Sequence, residues 1–247
     1  MAITTRKTKA KPRKGLKKPM PGTTLIQRLR TWFWRIVLGG LGLIVGATIL
    51  YAIVNPPTTP YMYSESGRVG GVAYEFVAME NIAPVMARSA VAAEDANFCL
   101  HWGLDVNAIR DRIERGGNGG ASTISQQVVK NVFLWHGRSW ARKAAEALWT
   151  PLTEIIWTKT RILELYLNVA EFDEGVFGVQ AAARHYFGVD AANLSAVQAA
   201  RLAAILPSPK TRSASRPSNA TRSRSAAILD GAATIRVDGR AACFNGE

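Results

Sequence analysis

From Ile36 to Val54 the chain runs through nineteen residues without a charge, IVLGGLGLIVGATILYAIV. As a helix this stretch is roughly 28 Å long at 1.5 Å per residue, close to the thickness of a bilayer's hydrocarbon core. Such a run crosses a membrane, is cleaved as a signal peptide, or is buried in a soluble core. Trp32, Trp34 and Tyr51 stand near its ends, where interfacial anchors sit. It is long for a signal-peptide h-region, and no clear A-x-A site precedes Pro56 and Pro57. A core helix would not usually carry so basic a flank. The sequence therefore predicts a single membrane-spanning helix over 36–54.

The flank explains the net charge of +13, which on its own suggests nucleic-acid binding. Eleven of the 31 Lys and Arg residues precede Ile36, and the first acidic residue is Glu65. The remaining 20 basic and 18 acidic residues leave a net of +2, so no nucleic-acid partner is expected. Residues 1–35 read as a basic tail, whose segment RKTKAKPRKGLKK lacks apolar periodicity and reads as disordered. Basic flanks stay cytoplasmic, which places the chain after about residue 55 across the membrane. Cys99 and Cys243 allow at most one internal bridge, and their redox state is left open.

Residues 55–74 read as a Pro- and Gly-rich connector, with a short strand near Val72–Val77. Beyond it the pattern is mainly α. Pro84 starts a helix to Glu94, and Asp105 N-caps one through Ile113, closed by Gly116 and Gly117. Helices follow from Ala121 or Ser122 to Phe133, from Ser139 to Trp157 with Pro151 as a kink or break, over 158–168, over 177–187, from Ser195 to Leu206, and between Ala220 and Arg236. The basic Ser/Pro segment Pro207–Arg224 reads as a solvated linker.

Two helical stripes dominate the middle of the chain. Ser122, Gln126 and Lys130 are spaced four apart, as are Arg138, Arg142 and Glu146, with Lys143 beside them. Residues four apart stack on one helix face. Gln127 and Asn131 widen the first stripe, and two amides, an Asn and a Lys suit sugar and phosphate. Gly119 and Gly120, before Ser122 and Thr123, can present backbone N–H groups to an anion, but the Walker ending is missing. Phe133, Leu134, Trp135 and Trp140 supply an apolar patch between and beside the stripes. Glu94 and Asp95 close an apolar run, where desolvation can raise a carboxyl pKa and suit acid–base work. His101 and Asp105 read as structural hydrogen-bonding groups rather than metal ligands. Glu164 reads as a structural hydrogen-bonding group in an apolar helix.

Together these residues resemble the peptidoglycan glycosyltransferases, the lysozyme-like domain of penicillin-binding proteins. E-D-x-x-F-x-x-H-x-G-x-D stands at Glu94, Asp95, Phe98, His101, Gly103 and Asp105. G-A-S-T-I-S-Q-Q-x-x-K-N runs from Gly120 to Asn131, R-K-x-x-E is Arg142, Lys143 and Glu146, and I-L-E-x-Y-L-N is Ile162–Asn168. A final G-x-x-G and Y-F-G region covers Gly175, Gly178, Ala182, Tyr186, Phe187 and Gly188. Ala121 and Ser125 are mild departures from the family's Gly and Thr. The match spans about 75–210, leaving 211–247 as a partly helical C-terminal tail. No S-x-x-K, S-D-N or K-T-G set follows, so a monofunctional enzyme is expected.

The resemblance implies a lysozyme-like fold and lipid II and the growing glycan chain as substrates. It implies inverting β-1,4 transfer with release of undecaprenyl pyrophosphate. Glu94 is then the general base. Glu146 stands on the pyrophosphate side, directly or through a divalent cation such as magnesium or manganese. Ser122, Thr123, Gln126, Gln127, Lys130 and Asn131 bind substrate, and Lys130, Arg138, Arg142 and Lys143 neutralise the leaving diphosphate. Phe133, Leu134, Trp135 and Trp140 are the expected membrane contacts. The implied place is the bacterial inner membrane, with the catalytic domain periplasmic and cell-division or elongation proteins as candidate partners. A membrane-anchored lytic enzyme and a noncatalytic cell-wall scaffold are the alternatives.

Overall fold

The computed structural model describes residues 24–114, 116, 122–137 and 139–245. Most of the basic tail, Gly117, Gly119, Gly120, Ala121 and Arg138 lie outside the described residues. The fold is mainly α, as expected, with one long apolar N-terminal helix. This helix, α1 (Leu25–Ile53), is long and apolar enough to cross a membrane. It begins eleven residues before the predicted anchor. Residues 25–35, assigned from sequence to the basic tail, are helical because Leu25, Ile26, Leu29, Trp32 and Phe33 continue the apolar character between the arginines.

The chain divides into two compact units, Met1–Ile44 and Val45–Glu247. In the second, α2 (Pro60–Val69) follows an N-cap at Thr59 and leads to strand β1 (Ala73–Tyr74). Helix α3 (Pro84–Glu94) starts on its proline and buries Met86, Ala87, Ala90 and Val91. A 3-10 turn, Phe98–Leu100, precedes α4 (Val106–Glu114), whose first turn is capped by Asp105 accepting from the Ala108 N–H at 2.9 Å. Helices α5 (Ile124–Phe133), α6 (Trp140–Ile156) and α7 (Lys159–Val169) form the centre. Pro151 sits inside α6 without ending it. Strands β2 (Glu171–Asp173) and β3 (Val176–Phe177) join β1 in a small sheet of order β1-β3-β2, parallel between β1 and β3. Helices α8 (Val179–Phe187), α9 (Ala196–Ile205), α10 (Asn219–Val237) and α11 (Ala242–Asn245) complete the unit.

The core is built around α7, whose Ile162, Leu163, Leu165, Tyr166 and Leu167 are buried and which packs chiefly on α5 and also on α3, α6, α8 and α11. Ser195 and Gln198 form a capping box that starts α9, and Thr123 and Gln126 form another that starts α5. The segment set aside as a C-terminal tail packs as α10 against α3 and α9. Its apolar face, Ile228, Ala232 and Ile235, needs a partner, and the Ala-rich side of α9 supplies one. Cys99 and Cys243 form a disulfide that joins the 3-10 turn after α3 to α11.

The last turns of α1, from Val45 onward, belong to this same unit. Thr48 is fully buried and accepts from the Trp149 indole N–H at 2.9 Å, while its carbonyl accepts from Trp157 at 2.7 Å. Arg161 donates to the carbonyls of Tyr51 and Val54 at about the C-terminus of α1. Those carbonyls have no intrahelical partner, and a cation there also suits the helix dipole.

Candidate active site

The site grows from three helix ends. Helix α3 delivers Glu94 at its last position and Asp95 as its C-cap. Asp95 is buried. Its carboxylate accepts from the Ile124 backbone N–H at 3.0 Å and is bonded to His101 Nε2 at 2.8 Å. A carboxylate at the N-terminus of α5 meets an unsatisfied N–H and the positive end of the helix dipole. Gly103 must be glycine: its φ is +80°, and a Cβ there would lie 2.6 Å from Thr150 Cγ2. Its carbonyl accepts the Thr123 hydroxyl at 2.6 Å.

Helix α5 then sets Gln127 Nε2 3.0 Å from Glu94 Oε2. Burial pushes the Glu94 carboxyl up, against the pull of this hydrogen bond and of the nearby cations Arg224 and Lys130. One turn on, burial together with the charges of Arg142 and Lys143 pushes Lys130 down to about 8.

Helix α6 contributes the second cluster. Ser139 caps it, as its sequence position suggests. Arg142 is ion-paired with Glu146, and Lys143 Nζ lies 3.0 Å from Glu146 Oε2 and donates to Ser122 Oγ at 3.0 Å. Glu146 is buried, so the two cations are the counter-charges its burial requires. Ser122, Gln126, Gln127, Lys130, Arg142, Lys143 and Glu146 surround one cavity of about 200 Å³. Ser122, Gln126 and Lys130 of the first stripe and Arg142 and Glu146 of the second, separate in sequence, therefore line a single cleft.

A larger cavity of about 430 Å³ shares Gln127 and Lys130 with it and is walled by Asn131, Tyr61, His136, Glu171 and Lys210. The Asn131 side-chain oxygen is buried there without a partner. Tyr61 donates to Glu171 at 2.5 Å, and Lys210 pairs with Glu65 and lies 3.4 Å from Glu171. Sequence reasoning missed Tyr61, Glu171, Lys210 and Arg224. Glu171 carried a usable signal, since it follows the mostly apolar segment Ile162–Ala170 as Glu94 follows its own. The others had none, because only tertiary packing brings the connector and the basic linker to this cleft.

Some expected ligands are otherwise engaged. Thr123 is buried and its hydroxyl is spent on Gly103 and on the N-cap of α5. Gln126 gives its carbonyl oxygen to the Thr123 N–H, leaving only its amide end for the cavity. Leu134 is 5% exposed, packed inside, and so is withdrawn as a membrane contact. Phe133 stacks on Trp149 at 4.4 Å and is half-buried. Trp135 and Trp140 stand out at 51% and 91% exposure.

The charges around Glu146 suit an anion better than a metal. Both its oxygens face cations, and three cationic side chains line the cavity. Ligand atoms of Asp95, His101 and Asp105 lie within 4.8 Å of one another. Their contacts are already structural, with Asp105 bonded to Asn97 at 3.1 Å as well as to Ala108.

A buried carboxyl is thus bonded to an amide that lines a cleft of three cations, an arrangement suited to proton transfer beside an anionic ligand, on a mainly α-helical chain with one long apolar N-terminal helix. Residues 65–233 match the family described as Transglycosylase, and the chain belongs to that family. It is 55% identical over 232 residues to a biosynthetic peptidoglycan transglycosylase of Jannaschia sp., covering 94% of this chain and 97% of that one. Proteins of the same description from Pseudomonas putida and Caulobacter vibrioides are 48% and 44% identical, over 82% and 81% of this chain and 88% and 89% of theirs. The chain is thus a peptidoglycan glycosyltransferase, and it polymerises glycan chains of peptidoglycan.

Proposed function

We propose that the substrate is lipid II, a disaccharide-pentapeptide on undecaprenyl pyrophosphate, and that Glu94 is the general base. Glu94 takes the proton from the 4-hydroxyl of the acceptor GlcNAc. That oxygen attacks C1 of the donor MurNAc from the face opposite the leaving group. The C1–O bond to the diphosphate breaks, and the α-linked donor becomes a β-1,4 product. Lys130, Arg142 and Lys143 stabilise the charge gathering on the departing diphosphate, while Glu146 holds the last two in place. Preorganised cations at a developing charge are commonly the largest catalytic contribution, and losing one costs about 10²–10³ in rate. The observation that carries this reading is the single cleft lined by three cations and joined to Glu94 through Gln127.

The anchor serves the same chemistry, because a bilayer-held substrate must be met at the surface. Thr48 lies five residues inside the end of α1, about 8 Å at the helical rise. Its partners Trp149 and Trp157 therefore sit near the membrane. Trp140, Leu148 and Ile155 form one exposed stripe of α6. With Trp135 they are the proposed membrane contacts. The basic N-terminus is cytoplasmic and the catalytic unit lies on the opposite, periplasmic side of the inner membrane.

Glu94→Gln is the test. The variant should bind lipid II and fail to polymerise it. Normal polymerisation by the Gln variant would remove Glu94 from the role. Parallel incubation with finished peptidoglycan separates polymerisation from lysis: release of glycan fragments would favour the lytic alternative.

A further inference from the structure

We infer that Arg224, on α10, is a positioning residue for the general base, holding the Glu94 carboxylate as an anion in one orientation beside Gln127. The inference rests on the reading of Glu94 given above.

Arg224 Nη2 lies 3.5 Å from Glu94 Oε1. It also donates to the Ala93 carbonyl at 3.2 Å, in the last turn of α3. Carbonyls in that turn lack intrahelical partners, and a cation there meets the negative end of the helix dipole. The carboxylate is therefore addressed from two elements, Oε1 by α10 and Oε2 by Gln127 of α5. One contact would leave the side chain free to swing; two from different helices fix it.

The packing that delivers Arg224 is specific. Gly231 lies seven residues on, hence on the same face of α10. A Cβ at Gly231 would stand 3.2 Å from Ala92 Cβ, so the glycine lets α10 run close along α3. Ser225, Ile228 and Ala232 are buried on the neighbouring positions.

The charged and titratable groups around Glu94 come from every helix packed on it. Asp95 lies next to it, Lys130 on α5, Tyr166 on α7 and Arg224 on α10. Burial and the Asp95 charge oppose ionisation of Glu94; the Gln127 bond, Arg224 and Lys130 favour it. Lys130 is itself pushed down to about 8 and also faces the anion cleft. Arginine keeps its charge at all working pH values, so Arg224 supplies the constant part of the support.

The experiment is the pH profile of kcat/KM on lipid II for the full-length protein in detergent, with Arg224→Gln and Arg224→Lys. A base loses activity as pH falls through its pKa, so removing a nearby cation moves the acid limb upward. For Arg224→Gln the limb should rise by about one pH unit, the low end for a neighbouring charge because Arg224 is partly exposed. Activity should recover on raising the pH. Arg224→Lys should hold the limb near its original place. If Arg224→Gln folds poorly, Gly231→Ala pushes α10 off Ala92 and should move the limb in the same direction by less. A loss of rate with the acid limb unmoved in the folded variants would overturn the proposal. Normal polymerisation by Glu94→Gln would instead overturn the reading of the base, so the two failures are distinguishable.

Discussion

Asp95 accepts the backbone N–H of Ile124 at 3.0 Å, tying the residue after the proposed base to the first residue of α5. The same carboxylate is bonded to His101. The distance between Glu94 and Gln127 thus depends on a side chain that touches neither. Asp95→Ala leaves a buried N–H and a buried imidazole nitrogen unpaired. It should lower stability by about 2–4 kcal/mol in urea denaturation and reduce polymerisation as well. A stability change below about 0.5 kcal/mol would contradict this account.

Lys130 gives the profile its alkaline side. Its ammonium is pushed down to about 8, so the charge proposed to face the diphosphate disappears as pH rises through that value. The rate should fall above about pH 8, and Lys130→Arg, which cannot lose its proton there, should shift the falling limb upward even at a lower maximum. Stability runs the other way. Above about 8 the unfolded lysine still holds the proton that the folded one has lost, so stability rises with pH up to the ordinary lysine value. An alkaline limb unchanged in Lys130→Arg would assign it to another group.

The Cys99–Cys243 bridge closes a loop of 144 residues and holds the turn that follows the base helix. Cys243→Ser should cost about 2–4 kcal/mol, read as a lower melting temperature without added reductant. Adding reductant should bring the wild type down to the same value. Equal melting temperatures for both proteins under oxidising conditions would show that the bridge adds no stability.

Where the chain is cut before the catalytic unit should matter. Removing residues 1–44 keeps Thr48, Tyr51 and Val54 with their partners Trp149, Trp157 and Arg161. Removing residues 1–55 strips them away and bares the Phe133–Trp149 stack. The shorter protein should melt several degrees lower and aggregate, as expected when about 2 kcal/mol or more is lost from a unit of this size. In the protein lacking 1–44, Trp135→Ser with Trp140→Ser should weaken liposome binding, measured by flotation. Unchanged binding would place the membrane face elsewhere.

Much of this was legible in advance, for reasons visible residue by residue. Pro84, Ser139 and Ser195 start helices where they were expected, because caps and Pro at a first turn act locally. The four-residue spacing that makes Lys130 and Glu146 members of polar stripes is also local. Thr123 and Gln126 were harder to read for the opposite reason. Their types suit sugar binding and N-capping equally, and only the hydrogen bonds to Gly103 and between the two residues settle the use. Leu134 looked like part of an aromatic membrane patch but ends α5 inside the core.

By itself, the sequence determined the long apolar N-terminal helix, the helical class and the residue types of the site, because hydropathy, capping and periodicity are properties of neighbours along the chain. Tertiary structure alone decided that two stripes share one cleft, that α10 reaches Glu94, that Cys99 meets Cys243, and that the last turns of α1 belong to the catalytic unit. Each of these joins residues far apart in the chain. Such contacts depend on how helix faces pack, and spacing along the chain carries no record of that packing.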